Sequence, residues 1–181
     1  MTPPTSKPPT LDELESAWRA LPPVPRDRGT VRWICVRNGE GVHECPDRIL
    51  ISVEGGALLD RWAAGPEPDP ERQVTIIRAD VAALVAAGRL PLHAAGDNFG
   101  VDFDLGEETL PAGTRLRIGG AVLEVSARAH TGCAKFRDRF GEAALRWVNQ
   151  PSGRLMRLRG VNCRVSTAGE VAVGDRIERL L

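Results

Sequence analysis

The chain has 181 residues, of which 42% are hydrophobic, and its 24 basic and 24 acidic side chains give a net charge of zero. This length and composition predict a single globular domain and exclude wholesale disorder, and no apolar run reaches the roughly eighteen residues that a membrane span requires. Four irregularly spaced cysteines, with no secretory signal before them, argue against a disulfide framework and predict a cytoplasmic protein.

The first 28 residues are predicted to form a tail and a short helix ahead of the main domain. Residues 1–10 are rich in Pro, Thr and Ser, which predicts disorder. Thr10 and Glu13 have the spacing of a capping box, so a helix is expected over LDELESAWRAL. Residues 29–181 are then expected to form one domain.

The rest of the chain consists mainly of short segments with the two-residue alternation of β-strands. In GTVRWICVR this alternation places Val31, Trp33 and Cys35 on one face. Many short strands with frequent Gly turns favour a mainly β barrel or sandwich with few flanking helices over a parallel α/β sheet. Further strands are predicted in RILISVEG, QVTIIR, FGVDFDL, TRLRIGG, AVLEVSA, RGVNCRVST and GDRIERL.

Three connections in the second half of the chain carry more specific predictions. Gly119-Gly120 predicts a hairpin between the strands on either side of it. The apolar spacing over 135–148 predicts one amphipathic helix, which Gly141 weakens. A turn at Ala168-Gly169-Glu170 is expected to join the last two strands.

Positive charge is concentrated in residues 128–164. This segment holds nine basic and two acidic side chains, a net charge of +7, although the whole chain is neutral. A local positive field in a neutral protein fits a small anion better than a nucleic acid. The alternative is a solvated, arginine-rich surface.

Cys133 lies within this basic segment, in the sequence HTGCAKF. A helix is predicted to begin just after it, and His130, Lys135 and Arg128 are close in sequence. Cations and a helix start stabilise a thiolate, which is the form of cysteine that attacks electrophiles and binds soft metals. A reactive centre is therefore predicted at Cys133, against the alternative of an inert loop cysteine.

The other cysteines are expected to have no chemical role. Cys35 and Cys163 alternate with apolar residues, which predicts packing in the core. Cys45 follows His43 by two residues, but no CxxC pair or other zinc spacing accompanies them.

Arg157-Leu158-Arg159-Gly160 is the second candidate for anion binding. Two arginines on the same face of a strand can form bidentate hydrogen bonds to phosphate or carboxylate oxygens, and the glycine allows the backbone to approach the ligand. Asn98, in a Gly-Asp-Asn turn, is a candidate for contacting the polar edge of a ligand. The alternatives are exposed strand arginines and ordinary turn chemistry.

The order of these motifs resembles the MOSC domain, the module found at the C-terminus of molybdenum cofactor sulfurases and also as a stand-alone protein. The resemblance runs from about Gln73 to Ile177, and SVEGGALLDRW is similar to an expanded form of an earlier family turn. It is carried by AAGDNFGVDFDL, LPAGTRLRIGGAVLEVS, HTGCAKFRDRFG with the family cysteine, RLRGVNCRV and GEVAVGDRI.

The resemblance implies a mostly antiparallel β-barrel of the MOSC type, which is pyruvate-kinase-like. It implies that Cys133 carries sulfur as a persulfide or ligates molybdenum in the molybdenum cofactor. Some family members reduce N-hydroxylated compounds with electrons from an external donor, and a carrier would need a sulfur donor protein. The residues expected to hold the cofactor are Asn98, Arg128, His130, Lys135, Arg139, Arg157 and Arg159.

A second hypothesis does not require an enzyme. In it, the basic segment 128–164 binds a phosphorylated small molecule and Cys133 is incidental. Both hypotheses predict a small-molecule ligand and neither predicts nucleic acid as a partner.

Overall fold

A computed structural model describes residues 7–39 and 41–180, so residues 1–6 of the expected disordered tail lie outside the described residues. The described strands are β1 (Arg28–Ile34), β2 (Val36–Arg37), β3 (His43–Glu44), β4 (Arg48–Ser52), β5 (Gly56–Ala57), β6 (Val74–Arg78), β7 (Phe99–Asp102), β8 (Arg115–Ile118), β9 (Ala121–Val125), β10 (Val161–Thr167), β11 (Gly169–Ala172) and β12 (Arg176–Arg179). The helices are α1 (Leu11–Ala20), α2 (Ala79–Ala86), α3 (Ala134–Phe140), α4 (Glu142–Asn149) and α5 (Pro151–Leu155), with 3₁₀ turns at Pro70–Arg72 and Leu92–Ala95.

Seven of the described strands close into a barrel in the order β1-β12-β8-β9-β10-β6-β7. Every neighbouring pair is antiparallel except β6 and β7, which are parallel. That pair is joined through α2, and a parallel pair requires a crossover of this kind. The prediction of a mainly β, mostly antiparallel barrel with flanking helices is confirmed. None of the described helices is long and apolar enough to cross a membrane.

Two hydrophobic clusters hold the molecule together. The first fills the barrel, and Cys163 belongs to it; Cys35 is also fully buried, so both cysteines are core residues as predicted. The second lies under the helices, where Leu14 of α1 packs against Trp147 and Phe140. A capping box between Thr10 and Glu13 fixes the start of α1 as predicted.

Three local predictions were wrong. The register of β1 against β7 shifts between Val31 and Trp33, so Trp33 pairs with Gly100 and lies on the opposite face from Val31. The helix predicted over 135–148 is two helices, because Gly141 adopts φ +94° between them. The turn expected at 168–170 instead opens β11, which pairs with β4.

Candidate functional site

Cys133 is the residue that precedes α3, and it is exposed. The loop that carries it is clamped to α4, since the amide of Asn149 accepts from Gly132 N at 2.9 Å and donates to Gly132 O at 3.0 Å. A Cβ at position 132 would lie 2.8 Å from Leu145 Cδ1, so a larger residue there would require the α4 side chains to shift. The predicted helix start after the cysteine is confirmed, and the thiol is presented on a fixed loop.

Cys133 borders a pocket of about 370 Å³ whose charged lining is almost entirely cationic. Among the described residues, the lining includes one carboxylate, Asp97, together with two histidines, His43 and His130. Since Asp97 already pairs with a buried arginine, the wall offers a strong positive field to anything that enters. The cations of the lining are Arg37, Arg61, Arg72, Lys135, Arg139 and Arg159.

Asp97 and Arg159 form a buried ion pair at the back of the pocket. Arg159 Nη1 donates to both carboxylate oxygens of Asp97, at 2.9 and 2.7 Å, and neither side chain is more than 9% exposed. The guanidinium also lies over the Phe136 ring, 5.1 Å from its centroid. These contacts fix the orientation of Arg159.

Two buried nitrogen atoms in the pocket wall have no hydrogen-bond partner among the described residues. They are Nε of Arg159 and Nδ1 of His130, which lies 3.5 Å from an Asp97 oxygen without forming a hydrogen bond. An unsatisfied buried polar group costs about 1–3 kcal/mol. Unsatisfied buried groups are uncommon in native proteins, so both nitrogens call for an explanation, such as an ordered water or a functional role.

His130 is held in its neutral form. Burial lowers its pKa well below the usual value, and the neighbouring charges of Arg159, Arg72 and Arg37 lower the pKa further. At neutral pH one ring nitrogen therefore accepts hydrogen bonds and the other donates them.

This environment predicts that acid destabilises the fold through His130. Because the pKa is depressed in the folded state, the unfolded chain takes up a proton below about pH 6.5 that the folded chain refuses. The free energy of unfolding should thus be at its full value above that pH and fall below it, by at most about 1.4 kcal/mol per pH unit for this one proton. Urea unfolding between pH 5 and 7.5 measures this slope. His130→Asn should flatten it, and an unchanged slope in that variant would show that His130 is not its source.

Asn98 belongs to a second buried network of hydrogen bonds, which reaches the pocket through Arg37. Its amide accepts from Thr75 N at 3.0 Å and donates to Asp60 Oδ2 at 3.0 Å and to Cys35 O at 3.2 Å. Asp60 in turn accepts two hydrogen bonds from Arg37: Nε donates to Oδ2 at 2.9 Å and Nη2 donates to Oδ1 at 2.8 Å. Asn98 is fully buried and does not line the pocket. It fixes Asp60 and, through Asp60, Arg37.

The sequence-predicted site residues divide between two cavities. His130, Lys135, Arg139 and Arg159 join Cys133 in the pocket, whereas Arg128 and Arg157 line a separate cavity. The prediction that Arg157 and Arg159 share a strand face was wrong. Both precede β10 in a turn after α5, where Arg157 has φ +48°.

Three arginines of the pocket were missed by reasoning from the sequence. Arg37 lies on β2, Arg61 follows the β4–β5 hairpin and Arg72 ends a 3₁₀ turn. None belongs to a local run of basic residues, so their convergence depends on the tertiary fold. The expanded turn at 53–62 was the available signal, because it supplies both Asp60 and Arg61.

Solved structures of similar shape come from several bacteria. YuaD from Bacillus subtilis is 19% identical with a TM-score of 0.64, over 84% of this chain and 95% of that one. YiiM from Escherichia coli is 19% identical with a TM-score of 0.61, over 85% and 70% of the two chains. YiiM from Geobacillus stearothermophilus is 16% identical with a TM-score of 0.59, over 84% and 75%. At these identities the likeness concerns the fold alone. No curated protein matches the sequence.

A family model gives the identification. It describes the MOSC domain and matches residues 60–178, about two thirds of the chain. The match includes Cys133 and most of the pocket wall, and it agrees with the barrel described above. The chain belongs to the MOSC domain family.

Proposed function

We propose that the protein binds the molybdenum cofactor in the Cys133 pocket, or carries sulfur there as a persulfide on Cys133. One observation carries this proposal: an exposed thiol on a clamped loop opens into a pocket whose wall is arginine-rich and includes two unsatisfied buried nitrogens. The family membership supports it.

The residues of the pocket fit the cofactor. Its phosphate is an anion, and arginine guanidinium groups match phosphate oxygens in charge and geometry. Arg159 is already oriented by Asp97. Arg61, Arg72 and Arg139 add positive charge to the pocket wall, and Arg37 does so while paired with Asp60. Neutral His130 offers a ring nitrogen to a polar edge. Cys133 would be the protein's thiolate ligand, and bound molybdenum supplies two-electron redox chemistry.

The same pocket suits sulfur transfer. In that reaction the Cys133 thiolate attacks the outer sulfur of a donor persulfide, a new sulfur–sulfur bond forms, and the donor leaves as a thiolate with the electron pair of the broken bond. The product on Cys133 is itself an anion at neutral pH, and the surrounding cations stabilise it. A reductase would take electrons from a separate donor and act on N-hydroxylated compounds; a carrier would meet a sulfur donor protein.

The second hypothesis, a binding module without chemistry, uses the same cations for a phosphorylated small molecule. It gives Cys133 no role. The two hypotheses therefore differ in whether Cys133 takes part in the function.

Competing alkylation reagents test whether the positive charge of the pocket reaches Cys133, which the proposed chemistry requires. Because the pocket concentrates anions, negatively charged iodoacetate should gain about tenfold over neutral iodoacetamide at Cys133 relative to Cys45, which is also exposed. High salt should remove the gain by screening the charges. Burial raises the pKa of Cys35 and of Cys163 to about 12, so neither should react before unfolding. Peptide mass spectrometry gives all four rates. Equal reagent ratios at Cys133 and Cys45 would contradict the proposal.

A further inference from the structure

A second cavity, of about 170 Å³, lies on the other side of the loop that carries Cys133. His130 and Thr131 line both cavities and so form the wall between them. Three arginines line the second cavity, Arg128, Arg154 and Arg157, against one carboxylate, Glu107. Arg128 also lies 3.5 Å from the Asp69 carboxylate. The cavity is therefore positive but less so than the Cys133 pocket, with which it shares no arginine.

Arg157 is the arginine of this cavity with the most unusual backbone conformation. It is half-buried and has φ +48°, a left-handed conformation that is uncommon for a residue with a side chain. Backbone strain of this kind persists where the surrounding structure enforces it, and it concentrates at binding sites. One guanidinium nitrogen donates to Leu110 O, and no ion pair to a carboxylate is made within the described part of the chain. Arg157 is a partly buried cation of the cavity wall, and the charge of Glu107 in the same wall acts on it without a described ion pair between the two side chains.

The neighbouring contacts show how the strained conformation is held. Gly160 has φ +98°, and a Cβ there would lie 2.2 Å from Ile76 O, so this turn is pressed directly against β6. Gly160 N donates to Arg157 O at 2.7 Å, and Leu158 N donates to Gly153 O at 2.9 Å. On the opposite side, Asn162 Nδ2 donates to Arg128 O at 3.1 Å. These contacts hold the backbone at Arg157 and Arg128 in place.

The size of the cavity limits what it can hold. A volume of 170 Å³ is that of five or six water molecules at about 30 Å³ each. It suits a phosphate or sulfate group and is too small to enclose a whole nucleotide. Burial of Arg157 lowers its pKa, and an anion beside it would offset that cost.

We propose that this cavity is a second anion site, formed around Arg157 with Arg128 and Arg154, which binds a phosphate-sized oxyanion independently of the Cys133 pocket. The oxyanion is either free or the terminal phosphate group of a larger molecule. The proposal holds whether or not the Cys133 pocket takes a cofactor.

Titration of the ¹⁵N-labelled protein with inorganic phosphate tests the proposal. Amides of Gly160 and Asn162 report on the second cavity, and those of Gly96 and Asp97 report on the Cys133 pocket. In the wild type, Gly160 and Asn162 should shift and saturate. Arg157→Gln should weaken this binding at least tenfold, while Arg157→Lys, which keeps the charge, should lose less. Arg164→Gln is the matched control, because Arg164 is an exposed arginine on β10 that pairs with Glu124 and lines neither cavity.

Two further variants separate the cavities and guard against misfolding. Arg139→Gln should alter the response of Gly96 and Asp97 and leave that of Gly160 unchanged. Arg128→Gln, at an exposed position, should weaken binding severalfold even if Arg157→Gln fails to fold.

A phosphate monoester that binds as tightly as inorganic phosphate would identify the ligand as the end of a larger molecule, and one that binds at least tenfold more weakly would identify a free ion. Shifts at Gly160 that do not saturate, or that persist at full affinity in Arg157→Gln and Arg128→Gln, would overturn the second site. The Cys133 proposal would then still stand on its own measurements.

Discussion

Replacement of Cys133 by alanine is expected to abolish both molybdenum retention and persulfide formation while leaving the protein folded. The side chain is exposed, and the loop around it is held by Gly132 and Asn149 instead. Surface substitutions of this kind change stability by about 0.5 kcal/mol or less, which is a shift of roughly 1–2 °C in Tm for a chain of this size. Metal analysis and thermal unfolding of the same preparation measure both effects.

Cys45→Ala is the matched control for that variant. Cys45 is the other exposed cysteine, and it does not line the Cys133 pocket. It should keep its molybdenum or sulfur. If both variants lose their loading equally, or if Cys133→Ala mainly unfolds the protein, Cys133 is a structural residue and the proposed chemistry fails.

Removal of the Asp97 carboxylate is expected to have the largest effect on stability of the changes considered. Asp97→Ala leaves Arg159 buried with no counter-charge and also exposes His130 to an unpaired neighbouring cation. Breaking one side of a buried ion pair costs about 3–5 kcal/mol. Urea unfolding should show this loss, together with a Tm lower by roughly 6–20 °C.

The exposed pair of Arg164 and Glu124 provides the comparison. Arg164 Nη2 lies 2.7 Å from Glu124 Oε1, as close as the buried pair, but the two side chains are 50% and 26% exposed. Glu124→Ala should cost no more than about 1 kcal/mol. In the double variant Asp97→Ala/Arg159→Met, part of the lost stability should return because no buried charge remains. If Asp97→Ala lowered the free energy of unfolding by less than about 1 kcal/mol, water would have to solvate the Arg159 guanidinium, which would contradict its burial.

The arginines of the basic segment 128–164 do not share one surface; they are distributed between two cavities and the exterior. Arg139 and Arg159 face the Cys133 pocket, while Arg128, Arg154 and Arg157 face the second cavity. Arg137 pairs with Asp138 at the surface, which is the outcome that the alternative of a solvated surface predicted for the whole segment. Charge clustering along the chain thus indicated anion binding but could not indicate how many cavities share the charge.

Local signals predicted those features that depend on a few neighbouring residues. Gly119-Gly120 joins β8 and β9 as expected, because a tight hairpin needs only its own turn chemistry. The start of α3 after Cys133 also follows from the local apolar spacing. The parallel pairing of β6 with β7 and the register shift at Trp33 depend on how distant strands meet, so no short window of sequence contains them.

The same distinction explains which pocket residues could be predicted. Cys133, His130, Lys135 and Arg139 lie within ten residues of one another, and one motif located them all. Arg37, Arg61 and Arg72 come from three separate parts of the chain and meet the others only in the folded barrel. Asn98 was predicted to lie in a turn and contact a ligand, but it is the bend residue just before β7, and its amide bonds Thr75, Cys35 and Asp60. The position of Asn98 therefore depends on hydrogen bonds to residues that are distant in sequence.

Analysis of the native protein for molybdenum and for its intact mass tests the central claim most directly. The protein would be purified without reductant from cells supplied with molybdate, beside Cys133→Ala prepared in the same way. The proposal predicts either one molybdenum per chain or an added mass of one sulfur atom that maps to the Cys133 peptide, and neither in the variant. A wild-type protein that carries neither molybdenum nor added sulfur, or a variant loaded to the same extent, would contradict it.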